Sequence, residues 1–185
     1  RFTEAFAPCG FRRQAFYPAY GLAEATLKVT GGRKGVGPIY HTVHAGELKR
    51  HRVVEAEAGG TEARALVGSG RATLGTEVVI VNPESLRRSA PDEVGEIWVS
   101  GPGVAAGYWN RPEETERTFR ARLPERGEGP YLRTGDLGFV RDGELFVTGR
   151  LKDLIIIRGR NLYPHDIERA VEQCHAALWQ GGGAG

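Results

Sequence analysis

The chain has 185 residues, 40% hydrophobic and 26% charged, which suits one medium domain or parts of two and excludes a disordered polypeptide. Its 25 basic and 23 acidic residues leave a net charge of +2, no basis for a nucleic-acid or anionic-membrane surface. No apolar run approaches the ~18 residues of a membrane span, and no signal-peptide pattern opens the chain.

The first segment, RFTEAFAPCGFRRQAF, is predicted as a short amphipathic helix closed by a turn at Pro8-Cys9-Gly10. Phe2 and Phe6, four apart, share a core-packing face. Cys9 and Cys174 match no metal or redox spacing. They are expected as ordinary buried or half-buried thiols in a reducing, cytoplasmic compartment. In PAYGLAEATLKVT, Pro18 and Gly21 bracket a tight turn, and LAEATLKV starts a helix or a second extended segment. Glu24 reads either as a helix N-terminal carboxylate favoured by the dipole or as a metal-ligating carboxylate facing a phosphate.

Residues 31–63 break at Gly31, Gly32, Gly35, Gly37 and Pro38, then alternate loosely enough for two short strands. The segment reads as an insertion or flap. His41 and His44 lack any carboxylate or cysteine in a zinc pattern and read as exposed loop histidines. Residues 64–100 are β-rich. Val78–Val81 form a buried strand stopped by Asn82-Pro83, and EIWVSG alternates as another. Such strands suggest a small barrel or sandwich-like unit. Arg64, Arg71, Arg87, Arg88 and Arg117 read as solvated surface. The glycines of GPGVAAGYW allow close backbone approach. Pro112, followed by Glu113, Glu114 and Glu116, starts a helix.

Residues Tyr131–Glu168 carry the most information. They read as strand YLRT, a turn at Gly135-Asp136, strand LGFV, an Asp142-Gly143 hairpin turn, strand ELFVTG and strand DLIIIRG. Gly159-Arg160-Asn161 closes the last strand. A helix follows from about Pro164 to His175, and the tail QGGGAG is flexible. A β-meander requires the glycines and apolar runs. It does not require Asp136 and Arg150 beside the turns, and that pairing points to a nucleotide.

Four segments in fixed order, YGLAE, GEIWVSGPGVAAGYW, YLRTGD and GRLKDLIIIRGRNLYPHDIE, resemble the adenylate-forming superfamily, from about Phe16 to Trp179. YGLAEATL, GELFVTGRLKDLIII and GRNLYPHDIE are most similar to its fatty acyl-AMP ligases. The resemblance implies a mixed α/β fold. Residues 1–149 would be the C-terminal part of the large AMP-binding domain, with 64–149 its β-barrel-like subdomain. Residues 150–185 would be the hinge and start of the small domain, and 33–60 a possible family insertion.

The resemblance also implies roles: Tyr20 beside adenine, Gly21 allowing backbone approach, and Glu24 holding magnesium on the phosphates. Asp136 would take both ribose hydroxyls, Arg150 reach ribose or phosphate, and Val147 pack against the nucleotide. Lys152 would be the hinge. The implied reaction consumes ATP, with Mg2+, to convert a fatty acid to its acyl-adenylate for an acyl carrier protein or a fused synthase. Ile156 stands where many superfamily members carry a lysine, which argues against an amino-acid adenylation domain. A coenzyme A ligase and a degenerate nucleotide- or carrier-binding domain are the alternatives. The chain starts at Arg1, contains no methionine and ends GGGAG, and is expected to be a fragment. It carries neither the family's phosphate loop nor its C-terminal catalytic lysine, so the isolated chain is expected to give no pyrophosphate exchange.

Overall fold

A computed structural model describes residues 2–73, 75–124, 127–157 and 160–174. Helix α1 (Phe2–Phe6) runs into a 3-10 turn, Ala7–Cys9, closed by Gly10 in the left-handed region. Phe2 stacks on Phe6, Phe11 and Phe16 with ring centroids 4.6–5.9 Å apart, but Phe2 and Phe6 remain exposed. The aromatic rings therefore pack on one another rather than in the core. Cys9 and Cys174 are also exposed, contrary to the expected burial.

Strand β1 (Ala19–Tyr20) and strand β2 (Thr30–Gly31) pair antiparallel around a single 3-10 turn, Ala23–Ala25. No longer helix forms there, because Thr26 and Leu27 reverse the chain with φ of 53° and 71°. Strand β3 (Tyr40–His44) leads into α2 (Ala45–Leu48) and pairs with β4 (Ala63–Val67). The second strand expected in residues 31–63 is thus a helical turn. Arg50 and Arg52 both bond Glu47, folding the basic run back on the turn. Nor is this segment a solvated flap. Val43, Leu48 and Val53 are buried in one cluster with Phe139, Phe146 and Tyr163. His41 and His44 lie half-buried on β3, His41 against Phe146 at 5.5 Å and His44 Nε2 2.8 Å from Glu62.

Strand β5 (Arg71–Ala72) completes a three-stranded sheet, β1-β2-β5. The main sheet joins β6 (Glu77–Val81), β7 (Gly95–Ser100), β8 (Leu132–Arg141) and β9 (Glu144–Arg150) in that order, all antiparallel. Strand β7 does not alternate between core and solvent, because both of its faces are covered. Ile97 and Val99 pack with Val29, Phe119 and Leu145; Trp98 packs opposite with Val79, Val81 and Tyr131. Phe119 ends helix α3 (Pro112–Phe119), which begins with the proline and acidic residues foreseen for it. In the run Val78–Val81, Val79 and Val81 are buried while Val78 and Ile80 are half-buried. Trp109 and the Ile155–Ile157 strand are among the exposed apolar groups, so the isoleucines are not core.

The expected turn at Gly135-Asp136 is a bulge inside one continuous strand. Gly135 takes φ 71°, and the β7–β8 register shifts between Glu96 and Trp98. Asp142 and Gly143, both at positive φ, form the two-residue hairpin turn. A 3-10 turn, Leu151–Asp153, then precedes β10 (Ile155–Ile157) and its antiparallel partner β11 (Arg160–Leu162). Helix α4 (Pro164–Cys174) follows. Gly159, His175 and the tail lie outside the described residues. Among the described residues the sheets stay open rather than closing into a barrel, and no helix is long and apolar enough to cross a membrane.

Two substitutions test this assignment of inside and outside. Phe146→Ala deletes a ring stacked on Phe139 at 5.1 Å and is expected to cost ~3–5 kcal/mol by denaturant titration. Ile156→Thr, on an exposed strand, is expected to cost under ~0.5 kcal/mol. Equal costs would contradict the packing described.

Candidate functional site

The main sheet, through β8 and β9, brings the two singled-out charges together. Asp136 and Arg150 are direct cross-strand partners. Arg150 Nε donates to Asp136 Oδ1 at 2.9 Å, and the Tyr20 hydroxyl donates to Oδ2 at 2.7 Å. Three residues 116 and 14 positions apart in the chain thus meet at one carboxylate. Asp136 is only 7% exposed, while the Arg150 side chain is open to solvent. The carboxylate is thus buried, with a solvent-facing guanidinium on its outer side. Each of its oxygens keeps acceptor capacity beyond the bond it already makes.

Burial raises the Tyr20 phenol above its usual value, and the bond to Asp136 adds to that rise. Ionising it would place a second anion against the carboxylate. The same carboxylate raises Arg150 further above its ordinary range.

 Glu24 makes no hydrogen bond to Tyr20, Asp136 or Arg150 among the described contacts; its partner is Tyr108. The Tyr108 hydroxyl donates to Glu24 Oε1 at 2.8 Å. Burial and that bond push the Tyr108 phenol up to about 12. Glu24 lies half-buried in the 3-10 turn Ala23–Ala25, so it is not the N-terminal carboxylate of a longer helix. The loop that carries Tyr108 is strapped onto this turn. Ala105 N donates to the Glu24 carbonyl at 2.8 Å, and Thr26 Oγ1 donates to the Gly103 carbonyl at 2.6 Å. Two motifs that are far apart in sequence therefore form one wall.

The other singled-out residues divide. Val147 is half-buried and packs on the cluster of Val29, Ile97 and Leu145, beside Tyr20 and Leu22. Gly21 answers to its own fold, because a Cβ there would fall 1.3 Å from the Leu27 carbonyl oxygen. Lys152 is exposed in the 3-10 turn Leu151–Asp153, immediately after Arg150. Among the described residues, no group of three or more His, Cys, Asp or Glu side chains gathers to hold a metal ion.

Sequence reading missed Glu96, Arg133 and Thr134. Glu96 is 2% exposed and takes Arg133 Nη2 at 2.8 Å and Nε at 3.1 Å. Its other oxygen accepts the Gly135 amide at 3.1 Å. Thr134 Oγ1 donates to the Ile97 carbonyl at 2.7 Å and accepts the Asp136 amide at 3.1 Å. The one signal available was a carboxylate inside the otherwise apolar run of β7. Its partner could not be located without the β7–β8 pairing.

A family model for AMP-binding enzymes matches residues 1–109. The medium-chain-fatty-acid–[acyl-carrier-protein] ligase JamA of Moorena producens is 54% identical over 99% of this chain and 31% of its own length. The 4-hydroxyphenylalkanoate adenylyltransferase of Mycobacterium tuberculosis is 46% identical over 94% of this chain and 28% of its own. Among solved structures, a fatty acyl-adenylate ligase from L. pneumophila in complex with acyl adenylate and pyrophosphate superposes with a TM-score of 0.77. That match has 47% identity and covers 95% of this chain and 30% of the other. The chain thus spans about a third of the length of the curated relatives it matches. By the family match the chain belongs to the AMP-binding enzyme family, and it is similar to fatty acyl-AMP ligases within it.

Proposed function

We propose that the chain is the nucleotide-side portion of an enzyme that activates a fatty acid with ATP. A carboxylate oxygen of the acid attacks the α-phosphorus, a P–O bond forms, and the bond to the leaving pyrophosphate breaks. The product is an acyl-adenylate, destined for an acyl carrier protein or a fused synthase. The observation that carries this reading is the junction of Tyr20, Asp136 and Arg150, a buried carboxylate flanked by a phenol and a solvent-facing guanidinium.

In this reading Asp136 accepts both ribose hydroxyls, which a carboxylate can do and an amide cannot do equally well. Arg150 supplies a permanent charge toward ribose or phosphate. Tyr20 and Val147 border the base, with Gly21 in the turn beside them. Glu24 would hold a magnesium ion. One half-buried carboxylate fits that ion, which is commonly held by one or two carboxylates together with substrate phosphates. When bound, the ion offsets the repulsion between two anionic reactants. Lys152 is the hinge between residues 1–149, the large-domain part, and residues 150–185, the start of the small domain. Residues 33–60 are the family insertion, and the enzyme works in the cytoplasm. The names of the relatives, which include an acyl-carrier-protein ligase, support a carrier protein over coenzyme A as acceptor.

Three measurements test the reading. In the full-length protein, Asp136→Ala is expected to lower fatty-acid-dependent ATP–pyrophosphate exchange by ~10²-fold or more; unchanged exchange would exclude Asp136 from the site. Glu24→Gln is expected to raise the magnesium concentration needed for half-maximal exchange, and an unaltered magnesium dependence would remove it as ligand. The third concerns pH. The folded value of Tyr20 is raised above its unfolded value of 10.0, so its contribution to stability is complete below that pH and is lost as pH rises through the folded value. Wild type should therefore lose denaturant resistance above pH 10 more steeply than Tyr20→Phe does. Parallel curves would sink this.

A further inference from the structure

Asp136 does not hold itself in place. The strand that carries it makes a crank at Thr134-Gly135, where Gly135 has φ 71°. Both ends of the crank are tied to β7. Thr134 Oγ1 donates to the Ile97 carbonyl and accepts the Asp136 amide. The Gly135 amide donates to Glu96 Oε1 at 3.1 Å. Glu96 is in turn held by the Arg133 fork at 2.8 and 3.1 Å, and the Arg133 guanidinium lies 5.5 Å from the centre of the Trp98 ring.

A carboxylate that is 2% exposed in a central strand is a costly residue. Its desolvation offsets much of what the pair with Arg133 returns. An apolar β-branched residue would pack this position with less penalty, so the carboxylate is better explained by what it orients. It makes no direct bond to Asp136, Tyr20 or Arg150 among the described contacts. It acts on the backbone one residue ahead of Asp136.

We propose that Glu96 is a positioning residue for nucleotide binding: with Arg133 it fixes the Gly135 crank that presents the Asp136 carboxylate to the ribose. This rests on the reading of Asp136 as the ribose acceptor. A rigid support of this kind matters because displacement of a binding group by about 1 Å can cost ~10²-fold.

The test compares two nucleotides on the full-length protein by titration calorimetry: AMP, and 2′,3′-dideoxyadenosine monophosphate, which lacks both ribose hydroxyls. Glu96→Gln keeps the size and an acceptor for Gly135 but loses the charge that grips Arg133. It is expected to weaken AMP by about tenfold, the effect of one lost well-placed bond, and to leave the dideoxy nucleotide unaltered. Asp136→Asn should do the same more strongly. On the Asp136→Asn background, Glu96→Gln should add nothing, since it acts through the group already removed. Arg133→Lys, which leaves the Glu96–Gly135 bond in place, should give a smaller loss of the same kind and serves if Glu96→Gln does not fold. Equal losses for both nucleotides would mean that Glu96 only stabilises the sheet, and would overturn the inference. Weaker AMP binding in Asp136→Asn with none in Glu96→Gln would overturn it while leaving the ribose reading intact. No effect of Asp136→Asn on AMP would overturn both.

Discussion

The structure depends first on the register of β8 against β9. The two-residue turn at Asp142-Gly143 sets that register, because both residues take the positive φ that matches the twist of a tight hairpin. From this turn the pairing runs through Val140↔Leu145 and Phe139↔Phe146 to Gly138↔Val147, shifts by one residue, and resumes at Leu137↔Gly149 and Asp136↔Arg150. A slip of one residue would send every side chain of β9 to the opposite face. The same slip would take Phe146 out of its stack on Phe139 and Arg150 away from Asp136. Core and site are therefore held by one hairpin, on either side of a single register shift.

A second sheet element converts that alignment into a site. Strand β7 lies between β6 and β8, and its two covered faces leave it no solvent side. Its interior carboxylate is tolerated because three donors from β8 converge on it, two from Arg133 and one from the Gly135 backbone. The irregular pairing between Glu96 and Trp98 lets β8 bulge at this point.

Much of this was legible in the sequence, and the reasons differ by element. Asp142-Gly143 declares its turn by residue type alone. Helix α3 declares its start through Pro112 and the acidic residues behind it. Asp136 and Arg150 stood out as charges that a plain meander does not need. Other features depend on partners that local pattern does not reveal. Gly135-Asp136 looks like a turn because a left-handed glycine is the same signal in a turn and in a bulge. Residues 33–60 look like a flap because their glycines and charges mask three residues, Val43, Leu48 and Val53, that reach a distant core. The isoleucines of β10 look like core, yet that strand pairs only with β11 and stays exposed. Glu96 could not be read at all, because its meaning lies 37 residues away at Arg133.

Tyr163 has a consequence of another kind. It is wholly buried beside Phe146 and Leu48, its ring fills the space where Gly149 has no side chain, and Arg64 lies over its face at 5.7 Å. Two residues earlier, Asn161 is tied to the Lys49 carbonyl through both its backbone amide and its side chain, at 3.1 and 3.0 Å. The chain leaves the main sheet at Arg150 and is fastened to the core again at Asn161 and Tyr163. Helix α4 starts at Pro164, directly after the second anchor, and so inherits its direction from the core itself.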